Sequence, residues 1–163
     1  MDTWEERIDA VWAASGTLTD DELVEAIDAI AAERGPEDAR AEFERGGARD
    51  SAGREAEAVV LYRRALERGL DDEHRPQAVI QLASSLRNIG EYDEALALLD
   101  AEERAHPDSR YRDAVAVVKS LVLASSGSPA RGLSVALLAL IPHLPQYHRS
   151  MTAYAHEIVD RDT

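Results

Sequence analysis

The stretch from Gln77 to Leu96, QAVIQLASSLRNIGEYDEAL, decides how the chain is read. Val79, Leu82, Ala83 and Leu86 recur at i, i+3, i+4 and i+7, the spacing of one apolar helix face. Asn88 and Gly90 end that helix, and Ala95 and Leu99 resume an apolar pattern so soon that the second helix must run antiparallel to the first. Between Gln77 and Ile89 the only charged residue is Arg87, in a chain of 163 residues that carries 32 acidic ones. A nearly neutral helix therefore sits in a strongly acidic protein.

The same signals extend outward in both directions. Trp4, Ile8, Val11 and Trp12 share a helix face that closes at Ser15-Gly16. Thr19 with Glu22 reads as a capping box before Leu23, Ile27, Ile30 and Ala31, and Pro36 suits the first turn of a third helix. Turn signals at Gly53, Gly69 to Asp72, Gly90, Pro107-Asp108, Gly127 to Pro129, Pro142 and Pro145 mark off further helix-length segments. The pattern predicts nine helices, near 3–14, 19–34, 37–51, 54–68, 73–89, 92–105, 110–126, 129–141 and 146–160. Aromatic content of 5% and recurrent Ala and Leu suit helices packed by small residues rather than strands.

The totals narrow the function. The formal net charge of −14 repels phosphate backbones and anionic membrane surfaces, so neither nucleic acid nor membrane is expected as a partner. Without cysteine there are no disulfides, thiolate metal sites or thiol chemistry. MDTWEERID lacks the apolar stretch of a secretion signal, and VALLALI from Val135 is far shorter than the ~20 residues of a membrane span, so a cytoplasmic location is the expectation.

Laying GREAEAVVLYRRALERGL, from Gly53, over GEYDEALALLDAEERAHP, from Gly90, aligns Gly53 with Gly90 and Ala58 with Ala95, an offset of 37 residues. The second unit resembles the tetratricopeptide repeat, whose period is about 34 residues. Val79, Leu82, Ala83 and Leu86 stand where that family's first helix has Trp, Leu, Gly and Tyr, and Ala95, Leu99 and Pro107 where its second helix and end have Ala, Phe and Pro. The first unit keeps Gly46, Ala58 and Tyr62 but has Glu42, Arg45 and Arg49 where large residues are usual. In the third only the small residues Ser120, Gly132 and Ala136 remain. The phrases FERGGARDSAGREAEAVVLYRRALERGL, QAVIQLASSLRNIG and PHLPQYHRS are similar to those of small single-domain bacterial tetratricopeptide-repeat proteins without assigned activity, over roughly Trp4 to Ala155. The resemblance implies an all-α, right-handed α-solenoid of about nine antiparallel helices. As one domain over 1–163, it divides into an N-terminal hairpin (1–36), repeat 1 (37–70), repeat 2 (73–107), a degenerate repeat 3 (110–144) and a C-terminal capping helix (146–160).

Tetratricopeptide folds present the first helix of each repeat on a concave groove, which would put Gln77, Ile80, Gln81, Ser84, Arg87 and Asn88 toward a ligand, with Asp50 and Ser51 on the adjacent wall. Amides and hydroxyls there would bond to a peptide backbone and Arg87 to a carboxylate. The competing reading is structural, because Arg87 at a helix C-terminus suits the helix dipole and the Ser and Gln side chains can bond to neighbouring helices. PHLPQYHRS, Pro142 to Ser150, offers a secondary candidate loop in His143, Tyr147, His148 and Arg149, set against a role in ending one helix and starting the next. Tyr147, Met151, Tyr154, Ala155 and Ile158 are expected to form the packing face of that last helix.

No histidine pair has the spacing of a helical zinc site, and no nucleophile elbow, phosphate-binding loop or dinucleotide fingerprint occurs, so no metal, cofactor or catalytic residue is expected. The expectation is a non-catalytic scaffold that binds a protein or peptide. The alternatives are a self-assembling module, for which a homo-oligomer is the natural form, or an enzyme or small-ligand carrier.

Overall fold

The structure, a computed structural model, describes residues 2–160. Among these are nine α-helices and no strand: α1 Trp4–Ala14, α2 Asp20–Ala31, α3 Ala39–Ser51, α4 Glu55–Arg68, α5 His74–Asn88, α6 Tyr92–Ala105, α7 Arg112–Ser125, α8 Pro129–Leu140 and α9 His148–Asp160. The all-α class read from periodicity is the observed one. Most helix ends fall within about two residues of their predicted places, and α2 runs on as a 3₁₀ turn over Ala32–Arg34. The helices group into two compact units, one up to Ser85 and one from Leu86 on, with the division inside α5.

In the first unit, local hydrogen bonds start the helices and apolar faces join them. The Thr3 hydroxyl accepts from the Glu6 amide at 3.1 Å while the Glu6 carboxylate accepts from the Thr3 amide at 2.7 Å, and Thr19 with Glu22 repeats the arrangement at the start of α2. Trp4 and Ile8 of α1, Leu23, Val24, Ile27 and Ala31 of α2, and Ala41 and Ala48 of α3 then form one apolar cluster. The Trp4 indole N–H donates to the Ile30 carbonyl at 2.9 Å, so the ring is buried without an orphaned donor. Pro36 departs from expectation. It lies in a turn two residues before Asp38, whose carboxylate accepts from the Ala41 amide at 2.8 Å and thereby sets the start of α3 at Ala39.

In the second unit α6 packs on α7, α7 on α8, and α8 on α9. Leu99, Val115, Val122, Leu123, Ile141 and Ala155 are buried. α7 ends through Gly127, whose φ of 89° is the left-handed conformation that lets the Ser128 amide reach back to the Leu123 carbonyl at 2.8 Å. α7 and α8 then approach to backbone contact, for a Cβ on Gly132 would lie 2.5 Å from the Ser120 carbonyl oxygen. The last helix corrects the sequence reading. α9 buries Ala155 and half-buries Thr152, Ile158 and Val159, whereas Tyr147, Met151 and Tyr154 are exposed. Periodicity located the apolar stripe but could not say that nothing among the described residues covers part of it.

Candidate functional site

The register of α5 sorts its residues cleanly. Pro76, Ala78, Val79, Leu82, Ala83, Ser85 and Leu86 are buried, while Gln77, Ile80, Gln81, Ser84, Arg87 and Asn88 are half-buried or exposed. The second set runs at i, i+3, i+4, i+7, i+10 and i+11, a continuous stripe along the helix. Two of its side-chain hydrogen bonds are local in sequence. The Gln77 amide donates to the Glu73 carbonyl at 3.0 Å, and the Arg87 guanidinium donates to the Asn88 side-chain oxygen at 2.9 Å. Among the described residues no carboxylate lies within ion-pair distance of Arg87, although the chain has 32 of them.

Asp50 and Ser51, at the end of α3, divide between two environments. Ser51 is exposed, but Asp50 turns to α5, where its carboxylate accepts from the Ser85 hydroxyl at 3.0 Å. Burial raises the Asp50 carboxyl above its usual range, and the Ser85 hydrogen bond opposes that rise. Ser85 was not singled out from the sequence. Ser84 and Ser85 are chemically identical neighbours, and only the position of Ser85 beside Leu82 and Leu86 decides which hydroxyl turns inward.

Of the candidates in the Pro142 to Ser150 segment, Tyr147, His148 and Arg149 line one shallow depression with Ser150, Ala153 and Tyr154, whereas His143 is engaged elsewhere. His143 pairs with Asp113 of α7 at 2.8 Å, and that pairing holds the Asp113 carboxyl below its usual range. The His148 ring bonds instead to the Leu144 carbonyl at 2.7 Å. Tyr147 sits in the left-handed region with φ of 72°, unusual for a residue with a side chain, and it and Arg149 are exposed. Beside His143 a cavity of about 460 Å³ opens between α6, α7 and α8, walled by Val115, Ala116, Val135, Leu138 and Ala139. Its inner cation, Lys119, is held by Asp100 at 2.7 Å and Glu103 at 2.6 Å. These contacts keep the ammonium charged despite its burial. Among the described residues no group of three or more His, Asp or Glu could hold a metal ion, and no helix is long and apolar enough to cross a membrane.

A family model described as a tetratrico peptide repeat matches residues 39–158, nearly three quarters of the chain. The chain belongs to the tetratricopeptide-repeat family. No curated protein matches it. Tetratricopeptide repeats generally mediate protein–protein interaction or scaffolding and are typically non-catalytic.

Glu42, Arg45 and Arg49 of α3, which the sequence reading sets where the repeat usually has large apolar residues, form ion pairs. Arg49 grips Asp28 of α2 with two hydrogen bonds of 2.5 and 2.7 Å, which raises its pKa further. The buried Glu42 meets Arg68 of α4 at 3.0 Å. On the same helix the buried Glu44 accepts from the Trp12 indole at 2.6 Å and from Arg40 at 2.7 Å, and Arg40 also contacts His74. Gly46 and Gly47 make room for aromatic rings, since Cβ atoms there would stand 2.8 Å from the Tyr62 ring and 3.1 Å from the Trp12 ring. This network ties α1, α2 and α4 to α3 through charge. Sequence inspection registered Glu42, Arg45 and Arg49 as departures from a pattern, and their helix-bridging partners Asp28 and Arg68, 17 to 26 positions away, carried no local signal.

Proposed function

We propose that this protein is a non-catalytic scaffold that binds a protein or an extended peptide through the α5 stripe, Gln77, Ile80, Gln81, Ser84, Arg87 and Asn88. We further propose the repeat division 37–70, 73–107 and 110–144, which makes α5 the first helix of its repeat. The observation that carries the reading is Arg87, a half-buried cation with no carboxylate partner among the described residues, on a helix that has no acidic residue in an acidic chain. Amide and hydroxyl groups beside it suit a peptide backbone, and the guanidinium suits a carboxylate. Ser51 extends this surface, whereas Asp50, bonded to Ser85, serves packing more than recognition.

Two measurements test the reading. An affinity capture from lysate is run with wild type and with the folded double variant Arg87→Glu, Asn88→Ala. A photo-crosslinker is placed at Gln81 and, as control, at the exposed Ala97 of α6. A protein retained by wild type, lost by the variant and crosslinked from Gln81 alone supports the α5 stripe. Identical capture by both proteins, with equal crosslinking from the two positions, removes it.

A further inference from the structure

The cavity between α6, α7 and α8 has a cause in the sequence. In the proposed repeat register Ser120 falls on Ala83, Leu123 on Leu86 and Gly132 on Ala95, an offset of 37 residues. Burial agrees with position, for Leu86 is fully buried and Leu123 is 3% exposed. The same offset puts Ala116 at Val79 and Lys119 at Leu82, so two large packing residues of α5 become an alanine and a cation in α7. Both of these line the cavity. Its volume of about 460 Å³ is in the range of small-molecule pockets, and its walls of valine, leucine and alanine are of the apolar kind that such pockets have. The register rests on the proposed repeat division; the cavity and its charges do not.

The polar groups around this space favour a cation. Lys119 is held by Asp100 at 2.7 Å and by Glu103 at 2.6 Å, two carboxylates on one ammonium. Glu102, 3% exposed, adds a third carboxylate to the wall. Arg112 pairs with Asp113, which also bonds to His143. Four carboxylates, those of Asp100, Glu102, Glu103 and Asp113, thus stand against the two permanent cations Lys119 and Arg112, and the balance is negative. An incoming carboxylate would have to displace Asp100 or Glu103 from Lys119. An ammonium on a hydrocarbon chain instead meets the excess charge with its head and the apolar walls with its tail.

We propose that this cavity binds a small organic cation, a primary alkylammonium whose chain lies along the apolar walls and whose head group pairs with Glu102. At ~30 Å³ for a water-sized group the space holds roughly fifteen such groups, enough for a chain of about ten carbons. The cavity is lined only by residues between Glu102 and Pro142, so variants in it leave the α5 stripe unchanged and either reading can fail alone.

Calorimetric titration of the full chain with decylammonium, butylammonium and decanoate tests it. Decylammonium is expected to saturate a single site below about 1 mM. Butylammonium should bind at least tenfold more weakly, since each buried methylene contributes about fourfold in affinity, and decanoate should not saturate in that range. Ala139→Leu fills the cavity, and Glu102→Gln removes the charge while keeping the shape. Each should weaken decylammonium binding at least tenfold with the helical circular dichroism signal intact, and either one locates the site if the other unfolds. No saturation by decylammonium, equal binding of butylammonium, or equally tight binding of decanoate overturns the proposal. Decylammonium binding that a folded variant leaves unchanged overturns it too, because the net charge of −14 then accounts for the attraction without the cavity.

Discussion

Gly132 and Gly46 are each held against a neighbour, but the neighbours differ. A Cβ on Gly132 meets the backbone oxygen of Ser120 at 2.5 Å, which yields only if α7 and α8 separate, while one on Gly46 meets the buried ring of Tyr62 at 2.8 Å. Gly132→Ala should therefore destabilise by about 1–3 kcal/mol or more, and Gly46→Ala by a smaller amount within that range. Gly16→Ala, where nothing lies within 4 Å, should leave the melting midpoint nearly unchanged or slightly raised. Asp50 gives a test by pH. Because burial raises its folded pKa, the folded state holds its proton more tightly than the unfolded one, and stability falls as pH rises from the ordinary carboxylate range through that folded value. An asparagine can still accept from Ser85 without paying for a buried charge. Asp50→Asn is thus expected to melt higher than wild type at pH 7, and the difference should vanish below the unfolded pKa, as thermal melts across pH would show.

At the scale of the element, α2 and α3 are secured in different ways. The box of Thr19 and Glu22 is local, and Thr19→Ala should cost about 1 kcal/mol by denaturant titration. α3 is held by contacts to other helices. Arg49→Ala removes a bidentate pair from a half-buried Asp28, and the expected loss is about 1.5–3 kcal/mol, more than for the cap. Equal losses from the two substitutions would show that the Arg49 pair is no stronger than a solvent-exposed bridge. The caps were legible in the sequence because both partners lie within four residues. The ion pairs were not, since Asp28 and Arg49 are 21 positions apart and meet only when α2 and α3 pack.

For the whole molecule the uneven charge matters most. With the excess acid confined to the residues up to Ser109, raising salt from about 20 to about 200 mM should screen that repulsion and raise the melting midpoint. A midpoint that falls with salt would mean that the ion pairs around α3 outweigh the repulsion. By itself the sequence determined the nine helices, the Thr19–Glu22 cap of α2 and the small-residue positions, because each depends on neighbours within a few turns, and it located the neutral stripe of α5. The tertiary structure decided which serine of α5 faces Asp50, why charged residues occupy the packing positions of α3, and that the apolar stripe of α9 is left partly uncovered. Each of these is settled by which distant surface arrives at a helix face, and a single helix's periodicity contains no information about what will cover it.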